Sequence, residues 1–454
     1  MEAFFIKALQ LILALAMLIV IHEGGHYLFA RLFGIKVEKF YLFFDPWFSL
    51  AKWRPKKKKV KLDKHGRERA TWRDTEYGIG WVPLGGYVKI AGMIDESMDR
   101  EQMKQEPQPW EFRSKPAWQR LLVMIGGVLM NFVLAFIIYI GIAWHWGAQR
   151  VQVENVFLGY EFSPASKEAG FEDGDIPIMI NGKAIDTTDP NRYVKMAMAN
   201  EVAVLRNNRD TVIITLPDEF LLDLNEDGEF MTMRQPVVVL DPINGEPAAK
   251  AGLLRDDRIL SINGVKTEDY KVFTDSLMAN AGKEVVLGYL RGGDTLTTII
   301  TPTSDGKIGV KLANPFDVYG YEFVHYSLWQ AIPKGIKYGI DTLTGYVKSL
   351  GQVFTKRGAQ SIGGFGAIGS MFPDKWNWFQ FWNMAAFLSV ILGFMNILPI
   401  PALDGGHAMF AIYEIVTRRR PSDKFLERAQ ITGMIFLFAL LIYANLNDIL
   451  RLFR

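Results

Sequence analysis

The sequence predicts a polytopic α-helical membrane protein with four transmembrane helices, a membrane-associated β-hairpin or small sheet, and a repeated α+β unit outside the membrane. Three observations predict this fold class: apolar runs of membrane length, basic segments between them, and an internal repeat in a charge-rich middle region. Hydrophobic residues make up 49% and charged residues 22% of the 454 residues. The charges are concentrated between the apolar runs, as in a membrane protein with substantial soluble parts.

Four apolar runs account for the membrane helices. The first reads "ALQLILALAMLIVIHEGGHYLFARLFG", and the others occupy residues 121–143, 379–400 and 431–446. A spanning helix needs roughly 17 to 25 residues, and the short last run can extend into the interface around Tyr443. The first run lacks a basic segment before it and a small-residue cleavage site, so we expect a retained anchor and not a signal peptide.

Basic segments set the predicted orientation. "AKWRPKKKKVKLDKHGRERATWR" separates the first two runs, and "VTRRRPSDKFLER" separates the last two. The positive-inside rule places both in the cytoplasm. The N-terminus, residues 145–377 and the C-terminus then lie on the other side, which is the periplasm if the protein resides in the inner membrane of a Gram-negative bacterium. Residues 56–61 could also bind anionic membrane lipids, although a topology signal needs no further role.

The first apolar run contains a metal-ligand motif, His22-Glu23-Gly24-Gly25-His26. Residues four apart share one face of a helix, so His22 and His26 can bind one Zn²⁺ while Glu23 accepts a proton from a water on the metal. Ionisable side chains in a membrane helix are costly and therefore mark a functional site. The alternative is a pair of interior-facing histidines at a helix end.

A glycine-rich segment follows the motif helix. Residues 78–92 read "GIGWVPLGGYVKIAG", in which two β-prone stretches flank turn residues and predict a hairpin or looped sheet. An exposed edge of this sheet could pair with an unwound substrate strand. Four glycines of the segment are accordingly predicted to contact substrate: Gly78, Gly80, Gly85 and Gly86.

The charge-rich middle region contains an internal repeat. The stretch from Pro164, "PASKEAGFEDGDIPIMINGKAI", matches the stretch from Pro247, "PAAKAGLLRDDRILSINGVKT", with an offset of 82 residues at the matched Gly, Asp, Asn and Gly. Each copy continues through an acidic loop, a strand, an Asn-Gly turn, a helical stretch and a further strand. These compact units resemble PDZ domains, which bind extended peptides at a sheet edge. A purely steric or packing role is the alternative.

The third apolar run supplies the second half of the predicted site. It continues as "FMNILPIPALDGGHAMFAIYEIV", where Pro399 and Pro401 interrupt helical hydrogen bonding just before Asp404. Two histidines and one carboxylate leave an open position for water on zinc, so Asp404 is the predicted third ligand. His407 is the competing candidate and is otherwise assigned to packing. Asn396 could stabilise an oxyanion, hold the substrate backbone, or serve only as a helix contact.

The remaining features of the sequence exclude some kinds of site and predict one further helix and one helix–helix contact. Without cysteine there is neither a disulfide framework nor a thiolate metal site, and nothing indicates nucleic-acid binding. Residues 327–354 have amphipathic spacing, which predicts a helix on the outer face or a packing helix. The glycine-rich stretch after them lacks the preceding strand and the lysine of a phosphate loop, so it does not indicate nucleotide binding. Asn131 in the second run is predicted to be a helix–helix contact.

These observations divide the chain into five predicted parts. They are an N-terminal membrane half over 1–144, PDZ-like domains over 145–236 and 237–315, an amphipathic and glycine-rich linker over 316–377, and a C-terminal membrane half over 378–454.

The chain resembles the site-2 protease family of intramembrane zinc metalloproteases, and in particular its bacterial sigma-E regulator type. The resemblance rests on the HExxH motif, the "GGYVK" after it, the paired PDZ-like units and "NILPIPALDGGH". The resemblance covers nearly the whole chain. It implies His22, His26 and Asp404 as Zn²⁺ ligands, Glu23 as general base, and Asn396 as a substrate contact.

The resemblance also implies substrates and partners. The family cleaves in or beside the transmembrane helix of single-pass proteins, such as a pre-cleaved membrane-bound anti-sigma factor, and cleaves remnant signal peptides. Residues 78–88 would form a membrane-reentrant sheet, and the PDZ-like pair would exclude bulky ectodomains. Substrate would dock on the glycine-rich segment and on the stretch broken by Pro399 and Pro401. A monomer is expected, although the sequence does not fix the oligomeric state.

Two departures and two rival functions remain. Both middle residues of the HExxH motif are glycine, which costs about 1 kcal/mol each relative to alanine in a helix, and a long basic insert occupies residues 52–74. A PDZ-bearing membrane adaptor with a structural or inactive zinc site is one rival. A metal transporter is the other, and it leaves the PDZ-like units unexplained.

Overall fold

The computed structural model describes residues 2–56, 71–83, 85–93, 106–152, 155–189, 191–227, 230–353, 355 and 362–451. Most of the basic run at 56–61 therefore lies outside the described residues. The chain forms two compact units, one from Met1–Trp146 with Tyr326–Arg454 and the other from Gly147–His325.

The membrane unit is built mainly from helices. Within the described residues, four are long and apolar enough to span a membrane, as predicted. The helices of this unit are α1 (Glu2–Leu32), α2 (Ala117–Trp146), α9 (Leu328–Val353), α10 (Phe365–Ser370), α11 (Trp378–Ile397), α12 (Asp404–Thr417) and α13 (Asp423–Arg451); the four candidate spans are α1, α2, α11 and α13.

The third apolar run is two helices and not one. The first of them, α11, ends at Ile397, and α12 begins at Asp404. The intervening turn contains both prolines and Ala402, which has a φ of 83°. Each proline lacks a backbone N–H and clashes with the preceding helical turn, which explains why the helix stops here. The break makes Asp404 the first residue of a new helix.

A four-stranded sheet follows α1. Its strands are β1 (Val37–Leu42), β2 (Ala51–Trp53), β3 (Glu76–Ile79) and β4 (Tyr87–Ile90), in the order β2-β3-β1-β4. Of the predicted hairpin or looped sheet, the sheet is present, but the two stretches of residues 78–92 do not form a hairpin, because β1 lies between them and pairs parallel with β3 and antiparallel with β4. This order leaves β4 at an edge of the sheet.

The predicted amphipathic helix is present as α9, and it packs on α2. A Cβ on Gly335 would lie 2.4 Å from the backbone N of Ile140, and one on Gly339 would lie 2.6 Å from the ring of Phe136. Glycine at both positions lets the two backbones approach closely.

The second unit contains the repeat. Its strands are β5 (Ala148–Arg150), β6 (Tyr160–Phe162), β7 (Ile176–Ile180), β8 (Lys183–Ala184), β9 (Glu201–Arg206), β10 (Asp210–Thr215), β11 (Met231–Met233), β12 (Val239–Pro242), β13 (Arg258–Ile262), β14 (Val265–Lys266), β15 (Val285–Arg291), β16 (Asp294–Ile300), β17 (Val310–Leu312) and β18 (Glu322–Val324). Its short helices are α3 (Pro164–Glu168), α4 (Arg192–Ala197), α5 (Phe220–Asp227), α6 (Pro247–Lys250), α7 (Tyr270–Ala279) and α8 (Pro315–Val318).

The two copies of the repeat have equivalent sheets. The first has the order β10-β9-β7-β8 and the second the order β16-β15-β13-β14, with every neighbouring pair antiparallel. Each copy also has its own cluster of buried apolar side chains. The sequence repeat is therefore a repeat of structure.

A buried aspartate fixes the same loop in each copy. Asp175 accepts two hydrogen bonds from Arg206, and Asp257 accepts two from Arg291. Each arginine also donates to the carbonyl of the first matched glycine in its copy, which is Gly170 in one and Gly252 in the other. The hydrogen bonds to aspartate raise the pKa of both guanidinium groups above the usual value. These aspartates and glycines are matched positions of the sequence repeat, so the repeat preserves a stabilising network.

Candidate active site

Three metal-ligating atoms converge between α1 and α12. His22 Nε2 lies 3.1 Å and His26 Nε2 lies 3.3 Å from Asp404 Oδ2, and the two Nε2 atoms are 3.3 Å apart. Both histidines are buried, with 9% and 7% of their surfaces exposed. The structure thus brings together the three side chains that the sequence predicts as ligands.

The local structure explains this convergence. His22 and His26 are four residues apart in the unbroken helix α1, so their rings lie on one face. Asp404 reaches them because the proline turn ends α11 and directs the start of α12 toward α1. A carboxylate in the first turn of a helix is also favoured by the helix dipole.

The cluster has the geometry of a cation site. Asp404 Oδ2 is buried and makes no geometrically acceptable hydrogen bond within the described residues, despite its short distances to both imidazoles. Tetrahedral zinc with bonds of about 2.0–2.1 Å holds its ligand atoms about 3.3–3.4 Å apart, close to the observed separations. Two imidazole nitrogens and a carboxylate oxygen are also a donor set that zinc accepts. The residues present therefore fit a zinc ion.

The other ring nitrogen of each histidine contacts α2. His26 Nδ1 lies 2.8 Å from the carbonyl oxygen of Val123, and His22 Nδ1 lies 3.1 Å from the side-chain amide of Asn131. Sequence reasoning assigned Asn131 to helix packing alone and missed this contact. A signal was present, because Val123 and Asn131 are eight residues apart and so share a helical face.

A cavity of about 520 Å³ adjoins the cluster. Glu23, the predicted general base, lines it beside the three ligands. The backbone of Val88 in β4 hydrogen-bonds to the Glu23 carboxylate, so this edge strand faces the cavity. The described residues lining the cavity also include Lys39, Phe44, Gly86, Tyr87, Lys89, Ile90, Met93, Met124, Asn396, Ala402, Leu403, His407 and Gln430.

Two of the predicted substrate contacts lie at the cavity. Asn396 and Gly86 are among its lining residues, whereas Pro399 and Pro401 form the turn that leads to Asp404. His407, the competing ligand candidate, lines the cavity and is not among the three converging ligand residues.

The remaining glycines of the segment have packing roles in the structure. A Cβ on Gly78 would lie 2.3 Å from the ring of Tyr41, and one on Gly80 would lie 2.1 Å from the carbonyl oxygen of Phe44. Gly85 packs in the same way against the Phe44 ring, at 2.7 Å. These three residues are not among the described residues that line the cavity, and their contact with substrate remains a prediction.

Comparison with known proteins gives a family match over most of the chain. The model of peptidase family M50 matches residues 10–440. A regulator of sigma E protease from Haemophilus influenzae is 28% identical, with 97% of this chain and 98% of the relative covered. Protease RseP of Yersinia pestis is 28% identical over the same shares. Metalloprotease MmpA of Caulobacter vibrioides is 27% identical, covering 99% of this chain and 97% of the relative.

Among solved structures, the PDZ domain of an SdrC-like protein from Listeria monocytogenes is similar to part of the chain. It is 24% identical, with a TM-score of 0.17, and the match covers 21% of this chain and 98% of that domain.

Proposed function

The chain belongs to peptidase family M50 and is a zinc metalloprotease, and from this premise we propose that it cleaves the transmembrane segments of single-pass membrane proteins. The observation that carries the proposal is the convergence of His22 Nε2, His26 Nε2 and Asp404 Oδ2 between apolar helices, beside a cavity lined by Glu23. A substrate bond cut here would lie at or near membrane depth.

His22, His26 and Asp404 would hold the zinc ion, which when bound lowers the pKa of water and polarises a carbonyl group. Glu23 then accepts the proton of the attacking water and delivers it to the leaving amine. Asn396, which lines the same cavity, donates a hydrogen bond to the developing oxyanion or to the substrate backbone. Each of these roles uses a side chain within the one cavity.

Substrate binding requires an extended backbone, because a helical peptide bond is shielded by its own hydrogen bonds. Among the described strands, β4 is at the edge of its sheet, and it lines the cavity next to Glu23. We propose that an unwound substrate segment adds to this edge as a further strand. The main chain is then held in register beside the metal ligands.

Orientation and partners follow from the sequence. The basic segments lie in the cytoplasm, and the repeat unit lies in the periplasm of a Gram-negative inner membrane. The two copies of the repeat act as PDZ-like domains that exclude substrates with bulky ectodomains. Pre-cleaved anti-sigma factors and remnant signal peptides meet that requirement, since both carry little mass on the periplasmic side of the membrane.

The decisive experiment compares wild type with Glu23→Gln in cleavage of a tagged single-pass substrate, with bound zinc quantified in both. Glu168→Gln, an exposed position in the repeat unit, is the matched control for the same chemical change. We expect wild type and Glu168→Gln to cleave, and Glu23→Gln to retain zinc without cleaving. Removal of zinc by a chelator should abolish cleavage, and added zinc should restore it.

The opposite result would favour the adaptor function. A structural zinc site is usually closed by four protein ligands and needs no neighbouring base. If wild type and Glu23→Gln hold zinc equally and neither cleaves any of several unwound substrates, the proposed intramembrane proteolysis is wrong for this chain.

A further inference from the structure

One face of α2 contacts both histidines of the site. Val123, Gly127 and Asn131 are spaced by four residues, so they lie one above the other on that face. All three touch the imidazoles: Val123 through its carbonyl oxygen, Gly127 through its bare Cα, and Asn131 through its side-chain amide. This face of the second helix therefore forms the surface against which both rings are held.

The contact to His26 defines which of its nitrogens faces the cluster. The Nδ1–H donates to the Val123 carbonyl at 2.8 Å. A neutral imidazole carries one N–H and one lone pair, so Nε2 keeps its lone pair and presents it to the cluster. No side chain is needed for this orientation, because the acceptor is backbone.

The contact to His22 is made by a side chain. Asn131 is completely buried, and the structure places its amide nitrogen Nδ2 3.1 Å from His22 Nδ1. Its Oδ1 has no hydrogen-bond partner among the described residues. An asparagine amide can present either its oxygen or its NH₂ group in nearly the same shape, and the hydrogen-bond network decides between them. An orientation with Oδ1 toward His22 gives that oxygen a donor and gives the Nδ1–H an acceptor.

The position of Asn131 is fixed by its surroundings. Ser389 of α11 donates to the backbone carbonyl of Asn131 at 2.8 Å, and Ser389 is itself fully buried. Gly127 leaves room for the rings, since a Cβ there would lie 2.5 Å from His26 Nε2 and 2.7 Å from His22 Cε1. The amide is thus held beside the imidazole by two helices.

We propose that Asn131 is a positioning residue for the metal site: its Oδ1 accepts a hydrogen bond from His22 Nδ1–H and keeps the lone pair of His22 Nε2 directed at the cluster. This inference rests on the proposed ligand set. Partners of this kind typically change metal affinity by 10–100-fold when they are removed.

The test is the zinc affinity of the full-length protein in detergent, measured by competition with a chromophoric chelator. The variants are Asn131→Leu, Asn131→Asp and, as a matched control, Asn383→Leu, whose amide donates to the carbonyl of Phe379 in its own helix. We expect Asn131→Leu to weaken zinc binding by about 10–100-fold. Asn131→Asp retains an acceptor and should bind within a few-fold of wild type, as should Asn383→Leu.

A merely structural role predicts a different pattern. Asn131→Leu with wild-type affinity overturns the proposal. So does Asn131→Asp if its zinc affinity falls by about tenfold or more, and this second criterion decides the question if Asn131→Leu fails to elute as a folded protein. His22→Ala distinguishes a wrong ligand set from a wrong role for Asn131. If His22→Ala also binds zinc with wild-type affinity, His22 is not a ligand and the proposed ligand set is wrong.

Discussion

Gly25 of α1 and Gly126 of α2 are in direct backbone contact. A Cβ placed on Gly25 would lie 2.2 Å from the carbonyl oxygen of Gly126, and one on Gly126 would lie 2.8 Å from the carbonyl oxygen of Gly25. This contact brings α1 close enough for its two histidines to reach α2. It also explains one of the two glycines in the HExxH motif.

We therefore expect Gly25→Ala to separate α1 from α2. The new methyl group meets backbone, which cannot rotate away, so overpacking should cost about 1–3 kcal/mol. Because both histidines belong to α1, its displacement moves them away from α2, and zinc affinity and cleavage should both fall. Thermal unfolding, zinc quantification and substrate cleavage would measure the three effects.

Gly24→Ala is the matched control within the same motif. Nothing lies within 4 Å of a Cβ at Gly24, and alanine stabilises a helix interior by about 0.5–1 kcal/mol relative to glycine. Gly24→Ala should leave cleavage intact and stabilise the protein slightly. Equal damage from the two substitutions would show that helix approach is not the reason for Gly25.

The turn before Asp404 rests on α13. A Cβ on Gly433 would lie 1.7 Å from the carbonyl oxygen of Pro401. Gly433→Ala should displace the turn and the ligand that follows it, and a displacement near 1 Å can reduce catalysis by about 100-fold. Cleavage assays and zinc quantification would detect this. Gly351→Ala, with open space around its Cβ, should behave like wild type.

The edge of β4 provides a test of substrate-strand addition. Val88→Pro removes a backbone N–H at the edge that faces the cavity; because this N–H also hydrogen-bonds to the Glu23 carboxylate, a loss of cleavage reports the loss of either contact. We expect the cleavage rate to fall by at least about tenfold while zinc is retained. This factor corresponds to the free energy of one hydrogen bond to a charged or polarised group, about 1.5 kcal/mol or more. Val88→Ala keeps the N–H and should cleave nearly as wild type. Normal cleavage by a folded Val88→Pro would exclude pairing at this residue.

The repeat unit predicts equivalent effects at equivalent positions. Asp175→Asn and Asp257→Asn each weaken a doubly hydrogen-bonded arginine contact. We expect hydrogen exchange to accelerate by about tenfold or more in the copy that carries the substitution, while the other copy and the zinc content are unchanged. Acceleration spread over both copies would mean that they unfold as one cooperative unit.

The three converging side chains could be predicted from sequence because the signals for them are local. His22 and His26 are placed by helical periodicity alone, and the interruption before Asp404 is encoded by two prolines. The sequence did not reveal that α12 is a separate helix, because the apolar pattern continues across the break. Only the three-dimensional path of the turn shows that Asp404 starts a new helix beside α1.

The strand pairing, the Asn131 contact and the glycine packing were missed because each depends on residues that are distant in the sequence. The partner of β3 and β4 is β1, which precedes them by more than thirty residues, and strand pairing at that distance leaves no periodic signal in either segment. Asn131 looked like any polar residue in an apolar helix, since its importance depends on which helix face meets α1. The sequence predicts Gly78, Gly80 and Gly85 as substrate contacts in a small sheet, but it does not reveal that each fits against a ring or a backbone carbonyl.

The distance between the ligands along the chain has a consequence for biosynthesis. Asp404 follows His26 by 378 residues, so a ribosome working at about 5–20 residues per second needs roughly 20–75 s to supply the third ligand after the second. During that interval the nascent chain holds an incomplete site. With the three side chains as the proposed zinc ligands, the protease cannot act on its neighbours or on itself before the turn that leads to Asp404 has been synthesised.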